Sequence, residues 1–197
     1  DWGKTQISLF DVTNFSDPRL AASQLLTPAE PDGKGSWSSW SYSEATYEHK
    51  AFTYWAPKEL LAVPLSTNRY VHDTMVIDGR TYTYDGYEYV SKLILVNVNA
   101  SNGNLSIHGE VDHSFFNNDD NLSTYYYSGI DIRRSVFMGD YIYAFSAAGV
   151  TVHGVDNLTL SDSVEIPGFQ RYGYYGVSEP SSAIDDDVEE ARPPDAS

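Results

Sequence analysis

The sequence contains no cysteine, which excludes thiolate metal sites, cysteine nucleophiles and disulfide staples. That absence fits an exported bacterial protein and a cytosolic one equally, so it leaves the compartment open. Basic residues are scarce: 12 Lys and Arg stand against 28 Asp and Glu, a formal charge of -16. A surface of that sign repels phosphate backbones, which makes nucleic acid and anionic membranes poor partners and cations better ones. Long apolar runs are missing too. No stretch approaches the roughly eighteen uninterrupted apolar residues of a membrane-spanning helix, and no charged-then-apolar leader is read at the start. With no Met there, and Asp1-Trp2-Gly3-Lys4 entering a strand at once, the natural N-terminus is expected upstream. Enzyme signatures are also lacking: there is no Gly-x-Ser-x-Gly elbow, His-Glu-x-x-His pair, phosphate-cradling glycine loop or dinucleotide fingerprint. The five histidines are scattered, and no two share a motif spacing.

What is present favours sheets. Among 197 residues, 16 Tyr, 8 Phe and 4 Trp suit strands better than helix bundles. One pattern occurs three times: Ile7-Ser-Leu-Phe-Asp-Val12, Leu93-Ile-Leu-Val-Asn-Val98 and Val150-Thr-Val-His-Gly-Val155 are apolar strands that each run into an Asn/Asp-rich turn and a second strand. The turns, Thr13-Asn-Phe-Ser-Asp-Pro18, Asn99-Ala-Ser-Asn-Gly-Asn104 and Asp156-Asn157, supply residues that bond their own backbone or tolerate a left-handed conformation. A strand pair recurring along an all-β chain predicts radially repeated sheets, because one unit cannot bury both of its faces alone. The expected fold is a partial β-propeller of about two and a half four-stranded antiparallel blades.

The expected blade pieces lie at about 4–27, 42–111 and 131–167 of a partial propeller over 1–168, followed by an acidic tail at 169–197. The first contributes only its two outer strands, 6–12 and 20–26. The second opens with a strand over 45–54, turns at 56–59 and returns as Leu60-Leu-Ala-Val-Pro-Leu65, an apolar run suited to a strand buried on both faces. Asp78-Gly79 then marks the turn of an extra hairpin standing off one face, and residues 104–111 close the blade. The third is the cleanest: strands over 133–138, 141–146, 150–155 and 158–166 alternate apolar and polar residues as a half-buried sheet requires. The tail, with Asp185-Asp-Asp187, Glu189-Glu190 and Pro193-Pro194, is too charged and too poor in apolar residues to pack. Closed propellers use about four to eight blades, so remaining blades from the same precursor or a second chain are expected partners.

Ile7-Ser-Leu-Phe-Asp-Val12, Ser43-Glu-Ala-Thr-Tyr-Glu-His-Lys-Ala-Phe52, Leu60-Leu-Ala-Val-Pro64 and the run from 134 to 146, in that order, resemble the secreted bacterial and archaeal β-propeller domain proteins distantly related to WD-type repeats. The resemblance covers roughly residues 4–167, and its most specific part is 43–52. It implies an exported, periplasmic or surface-associated protein with the propeller at its C-terminal end.

Three sets of side chains are candidates for chemistry. Glu44, Glu48 and His49 have the types to bind a divalent cation or move a proton. In a strand, though, Glu48 and His49 point to opposite faces, which favours an architectural role. Asp112, Asp119, Asp120 and Asp131 belong to the most oxygen-rich stretch, and oxygen is what calcium takes. Their spacing follows neither the helix-loop-helix calcium loop nor the glycine-rich nonapeptide repeat, so a solvated loop is the favoured reading and calcium the alternative. Trp37, Trp40, Tyr125, Tyr126 and Tyr127 could form a rim for carbohydrate or protein. Asn-x-Ser/Thr triplets at Asn14, Asn99, Asn104, Asn121 and Asn157 are read as products of turn chemistry rather than glycan acceptors. No catalytic residue is assigned. The expectation is a non-enzymatic binding or assembly module, with 69–89 and 112–131 as contact surfaces. The alternative is a metal-assisted hydrolase whose site lies in the channel of a completed ring.

Overall fold

The computed structural model describes residues 3–28, 40–77, 79–116 and 129–167, and within them the regular structure is antiparallel strand joined by short 3-10 turns. Strands β1 (Gln6–Asp11) and β2 (Arg19–Leu25) form a two-stranded sheet, blade one. Blade two holds β3 (Ser41–Tyr42), β4 (Thr53–Trp55), β5 (Leu60–Ile77), β6 (Arg80–Asn99) and β7 (Asn104–Asp112). Its order is β3-β5-β6-β7, with β4 also on β5. Blade three is the meander β8 (Arg134–Met138), β9 (Tyr141–Phe145), β10 (Gly149–Gly154) and β11 (Leu160–Glu165). The acidic tail lies outside the described residues.

The blades stack by strand parity. In β6, Leu93 and Leu95 bury toward blade three, in a core with Leu60, Ala62, Val111, Ile132, Ile142, Ala144 and Val155. Ile94, Val96 and Val98 bury the other way, with Val63, Leu65, Leu105 and Leu26, against Ile7, Leu9 and Ala22 of blade one. Period-two alternation thus explains why 60–65 is apolar throughout and 93–98 is apolar except at Asn97: blade two is covered on both faces. Each fully buried Leu or Ile contributes about 1.5–3 kcal/mol relative to exposure. The exposed ion pairs that also cross the seam, such as Lys58 to Asp156 at 2.6 Å, contribute about 0–1 kcal/mol each. Apolar burial therefore holds the blades together.

Residues 45–54 are not one strand. Only Thr53–Trp55 is, and β3 and β4 pair with two separated parts of β5, at Ser66–Thr67 and Leu60–Ala62, as one interrupted edge strand. The interruption follows from side chains that outbid the ladder. Ser43 Oγ accepts from the Ala45 N–H at 3.3 Å, Thr46 Oγ1 donates to the Ser43 carbonyl at 2.8 Å, and the Glu48 carboxylate accepts from the Lys50 N–H at 3.0 Å. Pro64 lies opposite this gap, where its missing N–H costs no ladder bond, and its carbonyl accepts from Ser43 Oγ. The hairpin around Gly79 is not a separate insertion either. Strands β5 and β6 stay in continuous register from Leu60↔Asn97 to Ile77↔Arg80.

The seam between blades two and three is keyed by a bulge. Leu95 pairs Gly109 while Val96 pairs Ile107, which leaves His108 as the extra residue, and its Nε2 meets the Val155 carbonyl oxygen at 2.8 Å. A Cβ on Gly109 would lie 2.6 Å from Leu158 Cδ1, so Gly109 leaves the space that Leu158 occupies in the seam. Gly109→Ala should cost about 1–2 kcal/mol in urea unfolding, because Leu158 can turn aside only by leaving its packing. Leu158→Ala in the same chain should recover part of that loss. A neutral Gly109→Ala would show that the two residues do not compete for space.

Candidate functional site

Beyond Thr67 on β5 and Lys92 on β6, the blade's other strands stop. From there to Ile77↔Arg80 the two central strands pair, among the described residues, only with each other, as a two-stranded ribbon. Ten residues at about 3.3 Å each carry it roughly 30 Å past the four-stranded part. The described candidate residues gather at its root.

Asp131 Oδ1 accepts from Ser66 Oγ at 2.6 Å and from the Tyr89 hydroxyl. Asp112 Oδ1 accepts from the Ser114 N–H at 2.7 Å, and its Oδ2 meets Arg69 Nη1 at 3.2 Å. Both carboxylates thus tie the ribbon to the segment that joins blades two and three. Ser91, on β6, closes that segment at its two ends: its carbonyl accepts from the His113 N–H at 2.9 Å, and its hydroxyl accepts from the Ile132 N–H at 2.8 Å. Trp40 stands beside them. Its carbonyl accepts from Thr67 Oγ1, and its ring packs on Gly3, where a Cβ would lie 3.2 Å away.

Next to Trp40 the interrupted strand presents Tyr42 and Tyr47, whose rings are 6.0 Å apart and which are 42% and 68% exposed. Desolvation, and then the hydrogen bond with Tyr47, push the Tyr42 hydroxyl up to about 12, so it stays protonated and able to donate. Arg133 grips Glu44 through Nε at 3.0 Å and Nη2 at 3.0 Å, while Arg134 lies 3.6 Å from both Glu44 and Glu48. The Lys50 N–H holds the Glu48 carboxyl below its ordinary range. Glu44 and Glu48 therefore fasten blade two to the first strand of blade three. His49 does not join them across the seam; its side chain is 82% exposed, and Nδ1 lies 3.6 Å from Glu48. The opposite-face argument for Glu48 and His49 fails because these residues are in a turn.

Trp37, Asp119, Asp120, Tyr125, Tyr126 and Tyr127 lie outside the described residues. Among the described residues no three His, Asp or Glu side chains form a group that could hold a metal ion. Asp112 and Asp131 make their contacts with Arg69, Ser66, Tyr89 and the backbone. Sequence reasoning missed Ser66, Ser91, Tyr42 and Tyr47. The serines carry no signal of their own, whereas Tyr42 and Tyr47 flank Ser43 and could have been found had residues 43–52 been read as a turn.

A sequence model described as Beta propeller domain matches residues 1–158. The chain belongs to the beta propeller domain family. The four- and five-stranded antiparallel sheets have the form of its blades, and the hexapeptides at 93–98 and 150–155 fall on the third strand in the order of those two sheets. No curated protein and no solved structure matches the chain.

Proposed function

We propose that this beta propeller chain serves a protein- or ligand-binding and assembly role, without chemistry of its own, as part of an exported or surface-associated protein. The observation that carries the reading is the ribbon. A two-stranded hairpin is marginally stable by itself in water, and among the described residues the extension joins no other strand, which suits an arm for contact more than a part of the blade's ladder. At its root the exposed Trp40, Tyr42 and Tyr47 offer rigid aromatic area beside Arg133 and acidic side chains, the composition of a contact surface for protein or carbohydrate. The resemblance to secreted bacterial and archaeal propeller proteins supports export, and the charge of -16 favours cationic partners.

Replacing residues 70–87 by a two-residue Asn-Gly turn tests this. The shortened chain should unfold with the same cooperativity and within a few tenths of a kcal/mol of the parent, because the removed pairs belong to no ladder with another described strand. In affinity captures from the source cell's envelope fraction, partners held by the full chain should be lost. Equal capture by the two chains, or a stoichiometric transition metal with accompanying hydrolysis in the intact protein, would reject the reading in favour of another surface or an enzyme.

A further inference from the structure

Among the described residues the Asn-x-Ser/Thr triplets start at Asn14, Asn99, Asn104 and Asn157, in the β1–β2, β6–β7 and β10–β11 turns or at their edges. Turn chemistry explains all of these asparagines but only two of the hydroxyls that follow them. Asn99 Oδ1 accepts from Ser101 Oγ at 2.7 Å and from the Asn102 N–H at 3.1 Å, so that hydroxyl belongs to the turn. Ser106 Oγ accepts from Asn97 Nδ2 at 3.4 Å, its register partner across β6 and β7. Asn14 and Asn157 differ. Asn14 Oδ1 accepts from the Ser16 N–H at 3.1 Å, and Asn157 Oδ1 accepts from the Thr159 N–H at 3.0 Å. Any residue but proline offers that N–H, and neither the Ser16 nor the Thr159 hydroxyl bonds a described residue. Both asparagines are exposed, and Nδ2 of each donates to no described residue. Each stands seven positions after the start of its hexapeptide, Ile7 or Val150. The same asparagine geometry, with a spare hydroxyl two residues on, is thus built twice at one place in the repeat.

We propose that Asn14 and Asn157 are acceptors of N-linked oligosaccharide. Such transfer needs an asparagine amide in solvent and a hydroxyl two residues on with no proline between, and the intervening residues here are Phe15 and Leu158. The donor is an oligosaccharide carried on a lipid phosphate. Nδ2 attacks its C1, the N–C1 bond forms as the C1–O bond breaks, the lipid phosphate leaves with the electron pair, and one amide proton passes to the transferase's base. Both acceptors lie at the end of the sheets away from the ribbon. Asp156, beside Asn157, pairs with Lys58 at 2.6 Å, next to the Leu60↔Asn97 end of β5 and β6, whereas the ribbon runs to Ile77↔Arg80. The β1–β2 hairpin reaches that end too, since a Cβ on Gly103 of the β6–β7 turn would lie 3.2 Å from Ala21 Cβ. Asn157 is exposed with blade two already packed against its turn through Leu158, and the same packing on the β1–β2 turn would leave Asn14 equally open. Sugar at these positions leaves the aromatic surface at the ribbon root uncovered. The modification rests on export as proposed for this chain, and not on that contact surface.

The protein purified from its source cell should be found in the envelope fraction, and peptide mass spectrometry should place hexose or hexosamine on Asn14 and Asn157 while Asn99 and Asn104 stay bare. Ser16→Ala and Thr159→Val keep the N–H that closes each turn and remove only the hydroxyl, so each should lose the sugar at its own asparagine entirely, whereas Thr159→Ser should retain it. Made in a host without the transferase, the Ser16→Ala and Thr159→Val chains should unfold at the parent's urea midpoint, which separates loss of the sugar from loss of the fold. An envelope protein with sugar at neither asparagine, or sugar that survives removal of the hydroxyls, overturns the proposal and leaves export standing. A protein confined to the cytoplasm overturns both.

Discussion

Gly149→Ala is expected to be the most damaging single methyl in the described chain, with a loss of about 3–5 kcal/mol from a total of about 5–15. A Cβ there would press into the Phe116 ring and lie 2.6 Å from the Val164 carbonyl oxygen. The ring is 2% exposed and the carbonyl belongs to β11, so neither can move aside cheaply. Phe116→Ala removes the other half of the contact and should cost about 3–5 kcal/mol by leaving a cavity. The double variant should lose less than the sum of the singles, since the alanine at 149 then meets only the carbonyl, and urea unfolding of the four chains measures that coupling. Strict additivity would mean that the ring and the glycine do not pack on each other. The contact matters to the site. Phe116, Ile130 and Ala148 form a small core against which Tyr89 packs, so opening it frees the hydroxyl that holds Asp131 at the ribbon root.

Much of the architecture was legible because strands write their environment in a period of two. The hexapeptides, the doubly buried run from 60 to 65 and the meander of blade three all appear where alternation and turn residues placed them. Residues 45–52 misled for a physical reason. Their alternation suits a strand, but Ser43, Thr46 and Glu48 offer the backbone closer partners than a neighbouring strand does. The ribbon's turn was readable at Gly79, which has a φ of 76°, yet nothing in the alternating Thr and Tyr residues says whether its strands join the blade or stand apart. Within the site, Asp112 and Asp131 could be singled out as acids at the two ends of a polar segment. Their roles depend on Ser66, Arg69 and Tyr89, which only the folded β5–β6 pair brings to them.

Acid should open the seam between blades two and three before it protonates most carboxylates. His113, at the end of β7, is fully buried, and its Nε2 shares a hydrogen bond of 2.8 Å with Thr151 Oγ1 on β10. Its Nδ1 and the Nε2 of the nearby His153 have no partner among the described residues, so an added proton on either would be buried without an acceptor. Desolvation first, then repulsion from His153, lower the His113 ring from 6.5 to about 4, with Asp112 opposing. Desolvation also lowers His153, against the pull of the Leu158 carbonyl. A native ring that binds protons less readily than the unfolded one makes stability rise with pH across that window; it is fully present above about 6.5 and lost as pH falls toward 4. For His113 alone the loss is about 2 kcal/mol by pH 5 and about 3 kcal/mol by pH 4. Urea unfolding between pH 7 and 5 should therefore slope downward in the parent chain and flatten in His113→Gln, whatever stability that variant retains at neutral pH. An equal slope in both chains would place the acid sensitivity elsewhere. Since Ser91 accepts the His113 N–H, the same protonation would loosen the closure of the segment between the blades, and so couple the buried ring to the aromatic surface at the ribbon root.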